Sequence, residues 1–341
     1  MKGCTLNTRS LAAGLSLKPL GVSTGTSRWD FPRQPIDDGV IVRGLRRAIE
    51  LGASFVDTAD AHGEGHAERL IGKVLREYRN AEVHVISKVG QLRGSAPHPY
   101  AGPRVRHQLE QTLENLHQED LALYVLDSYD FGPGDRYLGP VIEQMHALRD
   151  LGDIRAIGLR GPTSAASLDE LRRFHLLAEE VQPDAIWAQV SGLLPAAVLE
   201  GGESLIEFTV RKGMGLVIAS PLEHGVLAGR RTRRALTRLC SEGICPEEAF
   251  AVVEGALREL AVRFGGGRDT LAGLILRMSL QQAPHAVVTV GVAEEHLVDE
   301  CFALPGELVE DDLLYIDHTY SRIRIGLQAL TAGLPERVGG R

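Results

Sequence analysis

Six residues able to move protons or bind oxygen close short apolar runs in this chain: Asp57, Lys88, Asp127, Arg160, Gln189 and Ser220. They recur at intervals of about thirty residues, the length of a strand with its crossover helix. A charged group ending an apolar strand is costly unless it is paired or functional. Lys88 stands out further, because the basic residues are nearly all arginine; the lysines are Lys2, Lys18, Lys73, Lys88 and Lys212. Asp57 and Lys88 are read as a functional pair. A structural salt bridge is the alternative, although desolvation leaves a buried pair little net stability. His62 follows in the loop after Asp57. Imidazole, with an ordinary pKa of about 6.5, both takes and gives protons near neutrality. Glu64 and His66 lie close by, but Gly63 and Gly65 break any helical ligand spacing, and no metal is expected. Asp127 and Arg160 fall on neighbouring strands. They read equally as a structural ion pair or as a second acid-base carboxyl beside a guanidinium that binds an anionic or carbonyl oxygen.

The elements that must position these groups alternate from end to end. Continuous apolar runs, as expected of parallel strands buried on both faces, cover Pro19–Thr24, Ser54–Ala59, Val83–Val89, Leu121–Asp127, Ala156–Arg160, Ala185–Val190, Gly215–Ser220 and Ala286–Gly291. Helical patterns lie at Asp37–Leu51, His66–Tyr78, Val105–His117, Val141–Leu151, Ser167–Leu177, Ser204–Lys212, Pro246–Phe264, Thr270–Gln282 and Glu294–Phe302. Eight strand-helix alternations predict an α/β fold, a single (β/α)8 TIM barrel, rather than an open doubly wound sheet. No Gly-x-Gly-x-x-Gly follows a strand. Two extra helices near the C-terminus, one within Pro246–Gln282 and one over Glu310–Leu327, interrupt the alternation. One domain spans 1–341, with its core at about 18–328 and a loose tail over 334–341.

The chain has 341 residues, 44% of them hydrophobic, enough for the core of such a barrel. A net charge of -8 argues against a nucleic-acid or anionic-membrane surface. Cys4, Cys240, Cys245 and Cys301 form no CxxC pair, so neither a zinc site nor a disulfide framework is indicated. The N-terminus lacks a signal-peptide shape and no run has membrane-spanning length. A cytoplasmic enzyme acting on a small molecule is expected.

The stretch from Gly52 through Asp57-Thr58-Ala59, His62-Gly63 and Glu68 to Gly72 resembles the signature of the aldo-keto reductases. Ile86-Ser87-Lys88, Ile157-Gly158, Gln189, Ser220-Pro221-Leu222, Gly225, Leu227 and Gly229 extend the resemblance, which runs from about Lys18 to Cys301. It implies reduction of carbonyls with NADPH, a tyrosine giving the proton, an aspartate-lysine pair tuning it and a histidine orienting the carbonyl. Here those positions hold His62, the pair Asp57 and Lys88, and Asp127. Other departures fall at cofactor positions. Arg160-Gly161 stands for a Ser-Asn pair, Gly192 for an aromatic, and the shortened stretch after Gly291 presents Glu294 and Glu295. By the resemblance Tyr129, Asp130, the loop Phe131–Pro140, His224 and Arg230–Arg234 face the substrate, and Gln189, Ser220, Leu222 and Gly225 remain as cofactor contacts.

Three readings follow. The sequence puts first an enzyme that uses the scaffold for non-redox acid-base chemistry, such as elimination, isomerisation or cyclisation, on a small oxygenated metabolite, with no cofactor favoured. The second is an NAD(P)H-dependent oxidoreductase, reducing a carbonyl or an activated C=C with His62 in place of tyrosine. The third is a non-catalytic binding barrel.

Overall fold

Side chains alternate across a strand, so one parity of each parallel strand faces the barrel axis and the other faces the surrounding helices. The computed structural model describes residues 8–25, 37–230, 246–266, 268–292 and 294–332. A hairpin, β1 (Arg9–Ala12) and β2 (Leu15–Leu17), precedes eight parallel strands. These are β3 (Leu20–Ser23), β4 (Phe55–Asp57), β5 (His84–Val89), β6 (Leu123–Leu126), β7 (Ile157–Arg160), β8 (Ala185–Gln189), β9 (Gly215–Ala219) and β10 (Val287–Gly291). They pair in chain order and close where β10 meets β3, the (β/α)8 barrel expected.

The helices are α1 (Asp38–Glu50), α2 (His66–Leu75), α3 (Arg104–Leu116), α4 (Leu138–Leu151), α5 (Leu168–Val181), α6 (Leu205–Lys212), α7 (Pro246–Phe264), α8 (Arg268–Gln282), α9 (Glu295–Phe302) and α10 (Glu310–Ala332). Local chemistry starts several of them. Ser167 and Ser204 each close a reciprocal capping box, with Glu170 and Glu207 respectively. The main core lies between strands and helices, around Val56, Tyr124, Phe174 and Phe208. A second cluster, with Phe250, Leu257, Tyr320 and Ile323, joins α7 and α10 to Val226 and Leu227 of the loop after β9. None of the helices among the described residues is long and apolar enough to cross a membrane.

Three boundaries differ from expectation. The core begins at Arg9, because Leu11, Leu15 and Leu17 pack with Phe55, Ile86, Leu123 and Val217 inside the barrel and plug its N-terminal end. The plug sits so close that a Cβ on Gly215 would lie 2.1 Å from the Leu11 carbonyl oxygen. The hairpin's few apolar residues are too sparse a pattern to announce it. Helix α4 opens at Leu138, since Pro140 sits in its first turn, where a missing N–H costs nothing. Helix α10 runs past Leu327 to Ala332: Gly326 does not stop it but lies against Val252 of α7. The proposed tail, Gly267 of the glycine break, and Cys4, Cys240 and Cys245 lie outside the described residues.

The plug gives a direct test. Leu17 is fully buried. Leu17→Ala is expected to cost about 2–5 kcal/mol in chemical denaturation, the usual range for a core leucine. Ligand binding at the opposite end of the barrel should be unchanged.

Candidate active site

Inward parity carries the apolar interior upward from Phe55, Ile86, Val125, Ala156, Ala185, Val217 and Val287. Continued by two residues, it places Asp57, Lys88, Asp127, Ala219 and Thr289 at the C-terminal mouth, with Arg160 and Gln189 one step further along β7 and β8. All seven line one cavity of about 690 Å³. The volume falls within the range of small-molecule and cofactor sites, and the mouth is where such barrels do chemistry. His62, Ser220, Leu222, His224 and Gly225 line it too. A slightly larger space of about 780 Å³ lies beside the hairpin at the other end, where the lining Lys212 and Glu179 pair with each other.

Asp57 is 1% exposed and Lys88 3%. Lys88 Nζ donates to Asp57 Oδ1 at 2.7 Å and to the Thr58 carbonyl. Trp187 Nε1 donates to the same Oδ1 at 3.1 Å, and Ser23 Oγ donates to Oδ2 at 2.8 Å. Both carboxylate oxygens are thereby satisfied, which is what a buried charge requires. The Trp187 ring lies under two cations, with its centroid 4.7 Å from Lys88 Nζ and 5.6 Å from the Arg160 guanidinium carbon. Trp187 was not singled out from the sequence. The signal was available, since it stands two residues before Gln189 on one inward row.

His62 sits in the tight turns that follow β4. Its Nδ1 shares a hydrogen bond with Thr24 Oγ1 at 3.1 Å, and Thr24 Oγ1 in turn meets Thr58 Oγ1 at 2.8 Å. The Asp57–Lys88 pair reaches this group through Thr58, whose carbonyl takes the Lys88 proton. Thr24 and Thr58, both fully buried, are further residues that sequence reasoning passed over.

Asp127 and Arg160 form an ion pair, with Nη1 donating to Oδ1 at 2.9 Å. The carboxylate side chain is 8% exposed and the guanidinium 33%, so the cation is the member open to the cavity. Tyr129 does not line the cavity: its hydroxyl donates to the Arg160 carbonyl at 2.7 Å, and burial raises its pKa. It braces the end of β7 from behind. Gly192 also differs from a simple loss of an aromatic, because the Tyr320 ring of α10 occupies the space where a side chain would start, 2.5 Å from an ideal Cβ.

The loop after β9 holds Ser220, Glu223 and His224 at φ of 59°, 46° and 53°. Three non-glycine residues in the left-handed region store strain in a segment that lines the site. Ser191 Oγ donates to Glu223 Oε2 at 2.8 Å and pins the loop to β8's end. Arg230 also lines the cavity, paired with Glu300 at 3.0 Å. The rest of the arginine cluster, 231–234, is outside the described residues. Cys301 closes the α9 side with its thiol pushed up to about 12 by burial, an inert wall rather than a nucleophile. Among the described residues no cluster of metal-binding side chains occurs.

A profile of the aldo/keto reductase family matches residues 21–320. L-galactose dehydrogenase of Arabidopsis thaliana is 25% identical over 222 residues, 63% of this chain and 63% of that protein. The chain thus spans less than two thirds of that relative's length. Probable aldo-keto reductase 1 of Glycine max is 28% identical over 305 residues, 84% of this chain and 80% of its own. Among solved structures, the glycerol dehydrogenase from Gluconobacter oxydans shares the fold at a TM-score of 0.72 and 17% identity, covering 99% of this chain and 100% of its own. An aldo/keto reductase from Klebsiella pneumoniae, in complex with NADP and acetate, shares it at 0.62 and 18%, over 92% and 95%.

Removing half of the Asp57–Lys88 pair should expose what holds it. Lys88→Met leaves a buried carboxylate without its cation and is expected to cost about 3–5 kcal/mol in urea denaturation at pH 7. Adding Asp57→Asn to the same chain should recover part of that loss. A second substitution that only deepens the loss would mean the pair is held for its shape rather than its charge balance.

Proposed function

The chain belongs to the aldo/keto reductase family and is an enzyme of it; from that premise we propose an NAD(P)H-dependent oxidoreductase that reduces a carbonyl or activated C=C of a small oxygenated molecule. The observation that carries this reading is the convergence of His62, the Asp57–Lys88 pair, Asp127 and Arg160 on one mouth cavity that also holds Gln189, Ser220 and Arg230. The reductase and dehydrogenase names of the relatives support hydride transfer over the elimination, isomerisation or cyclisation that the sequence put first, and over a non-catalytic barrel. They also revise the expectation that no cofactor is favoured.

The residues present fit a dinucleotide. The cavity extends from the paired charges on the axis past Ser220, Pro221 and Leu222 to Arg230, Glu294 and Leu297, offering apolar walls with a few polar groups. When bound, the nicotinamide supplies the hydride. The chain's own groups do the rest. Gln189 and Ser220 orient the ring end. His62 gives the proton to the oxygen that gains charge, from Nε2, since Nδ1 is turned to Thr24. The Asp57–Lys88 pair, linked to the ring through Thr58 and Thr24, holds it in place. Arg160, held by Asp127 and stacked near Trp187, directs its open guanidinium edge to the substrate oxygen. At the α9 end Glu294 opposes a 2′-phosphate, and Arg230 is already neutralised by Glu300. NADH should therefore be accepted at least as well as NADPH.

Titrating the protein with NADH and NADPH while following thermal stability tests the premise: at a hundredfold excess over Kd a bound cofactor adds about 2.7 kcal/mol. Binding of neither returns the site to non-redox acid-base chemistry. With an active substrate from a carbonyl panel, His62→Phe is expected to lower kcat by about 10²–10⁴ with KM little changed. Full activity in that variant would remove His62 from the chemistry. Glu294→Lys should improve NADPH binding relative to NADH, read from the two titrations.

A further inference from the structure

Behind the mouth, between the barrel wall and helices α2 and α3, lies a cluster of buried polar groups that the catalytic reading does not use. Asp60, in the loop that joins β4 to α2, is 1% exposed, and neither of its carboxylate oxygens has a side-chain hydrogen-bond partner among the described residues. The Tyr124 hydroxyl from β6 and the Arg104 Nε from α3 are likewise buried and unpartnered. Glu68 of α2 is fully buried in the same region, but its charge is supported. Thr112 Oγ1 donates to Oε1 at 2.8 Å, Asn115 Nδ2 to Oε2 at 3.0 Å, and Ser87 Oγ to Oε1 at 3.5 Å.

The charges do not balance unless a proton is shared. Two buried acids, Asp60 and Glu68, face the partly buried Arg104. Arg69 beside Glu68 is exposed and therefore screened. Asp127 adds a third carboxylate across β6, although Arg160 holds it. Tyr100 contributes no charge, since its hydroxyl is bound to the main chain of Val89 and Ser128 and burial keeps it protonated. Burial raises both carboxyls, but Glu68 has three side-chain donors and Asp60 only the main chain of Ala61, so the proton settles on Asp60. Two carboxylate oxygens, a hydroxyl and an N–H without side-chain partners in one buried region are the partners that internal waters take.

We propose that Asp60 holds an exchangeable proton in a water-bridged cluster behind the active site, and that its ionisation makes the loop carrying His62 sensitive to pH. The coupling is through the main chain. The Asp60 carbonyl accepts from Gly65 N at 3.0 Å, and His62 N donates to the Ala59 carbonyl at 3.0 Å, so Asp60 and His62 share one nest of turns. Burial first, then the negative charge of Glu68, pushes the Asp60 carboxyl from its ordinary 3.8 up to about 7. The native state then keeps a proton that the unfolded chain gives up. This group's contribution to stability is full below pH 4, falls as pH rises to about 7, and is level above that. Asp60 is thus a positioning residue, and this assignment stands whether or not the enzyme proves to be a reductase.

Infrared spectroscopy of the wild-type protein with ¹³C-carboxyl aspartate tests it without any variant. A protonated-carboxyl band should be present at pH 6, shift with the aspartate label, and disappear by pH 8. A chain with no such band, or with one that ignores the label, overturns the proposal. Asp60→Asn, which keeps the shape and removes the titration, should gain melting temperature over wild type as pH rises from 4 to 7 and then hold that margin. A margin independent of pH would assign Asp60 a purely steric role. With ¹⁵N-glycine, the amides of Gly63 and Gly65 should show a titration near neutrality in wild type that Asp60→Asn abolishes; its persistence in the variant would place the sensing group elsewhere.

Discussion

A carboxylate and an ammonium, each almost wholly removed from water, sit face to face at the top of the barrel. Their mutual attraction alone would not offset the desolvation of both ions. What makes the arrangement tenable is the supply of further donors: Ser23 from β3 and Trp187 from β8 complete the coordination of Asp57, and the Thr58 carbonyl takes a second proton of Lys88. Four strands are thereby tied to one charge pair. The same contacts reach His62, because Thr58 also meets Thr24, which meets His62. Side-chain positions at the mouth are set by one connected network.

Among the described residues, each lysine or arginine that lines the cavity has a carboxylate partner, while Glu294 adds an acid at the α9 end. Lys88 is matched by Asp57, Arg160 by Asp127 and Arg230 by Glu300. A neutral oxygenated molecule can find donors and acceptors there while every pair stays intact. The balance also explains why Arg160 can stand so near the reacting centre without closing it: held by Asp127 and lying over Trp187, it keeps one edge outward.

How much of this was legible beforehand follows from what each feature depends on. The barrel was, because strands buried on both faces write long apolar runs, and eight of them with helices between leave few architectures. The mouth residues were, because a charge at the end of such a run has nowhere else to point. Trp187 could be read from its place two residues before Gln189 and Thr58 entered only as part of a motif, whereas Thr24 looks like ordinary strand composition until the parity of neighbouring strands is known. Tyr129 was read as facing the substrate, yet it turns its hydroxyl to the backbone of β7, a choice that only three-dimensional packing makes. The hairpin plug was missed because three leucines carry no period.

Stability and chemistry are separated along the axis. At the N-terminal end the plug, Gly215 and the leucines of the hairpin are locked by contact at van der Waals distance, and small changes there must be felt. At the other end the inward row finishes in open space, so side chains can be exchanged while the backbone that carries them stays put. His62 lies in the turns after β4 and Asp127 ends the inward row of β6, so their identities alter neither parity nor register. The negative charge of Asp127 is answered by Arg160 on the next strand. Gly192 follows the same logic, since a residue without a side chain there admits the Tyr320 ring and seats α10 against the barrel. The mouth is therefore a set of mutually adjusted residues, each readable only beside its partner.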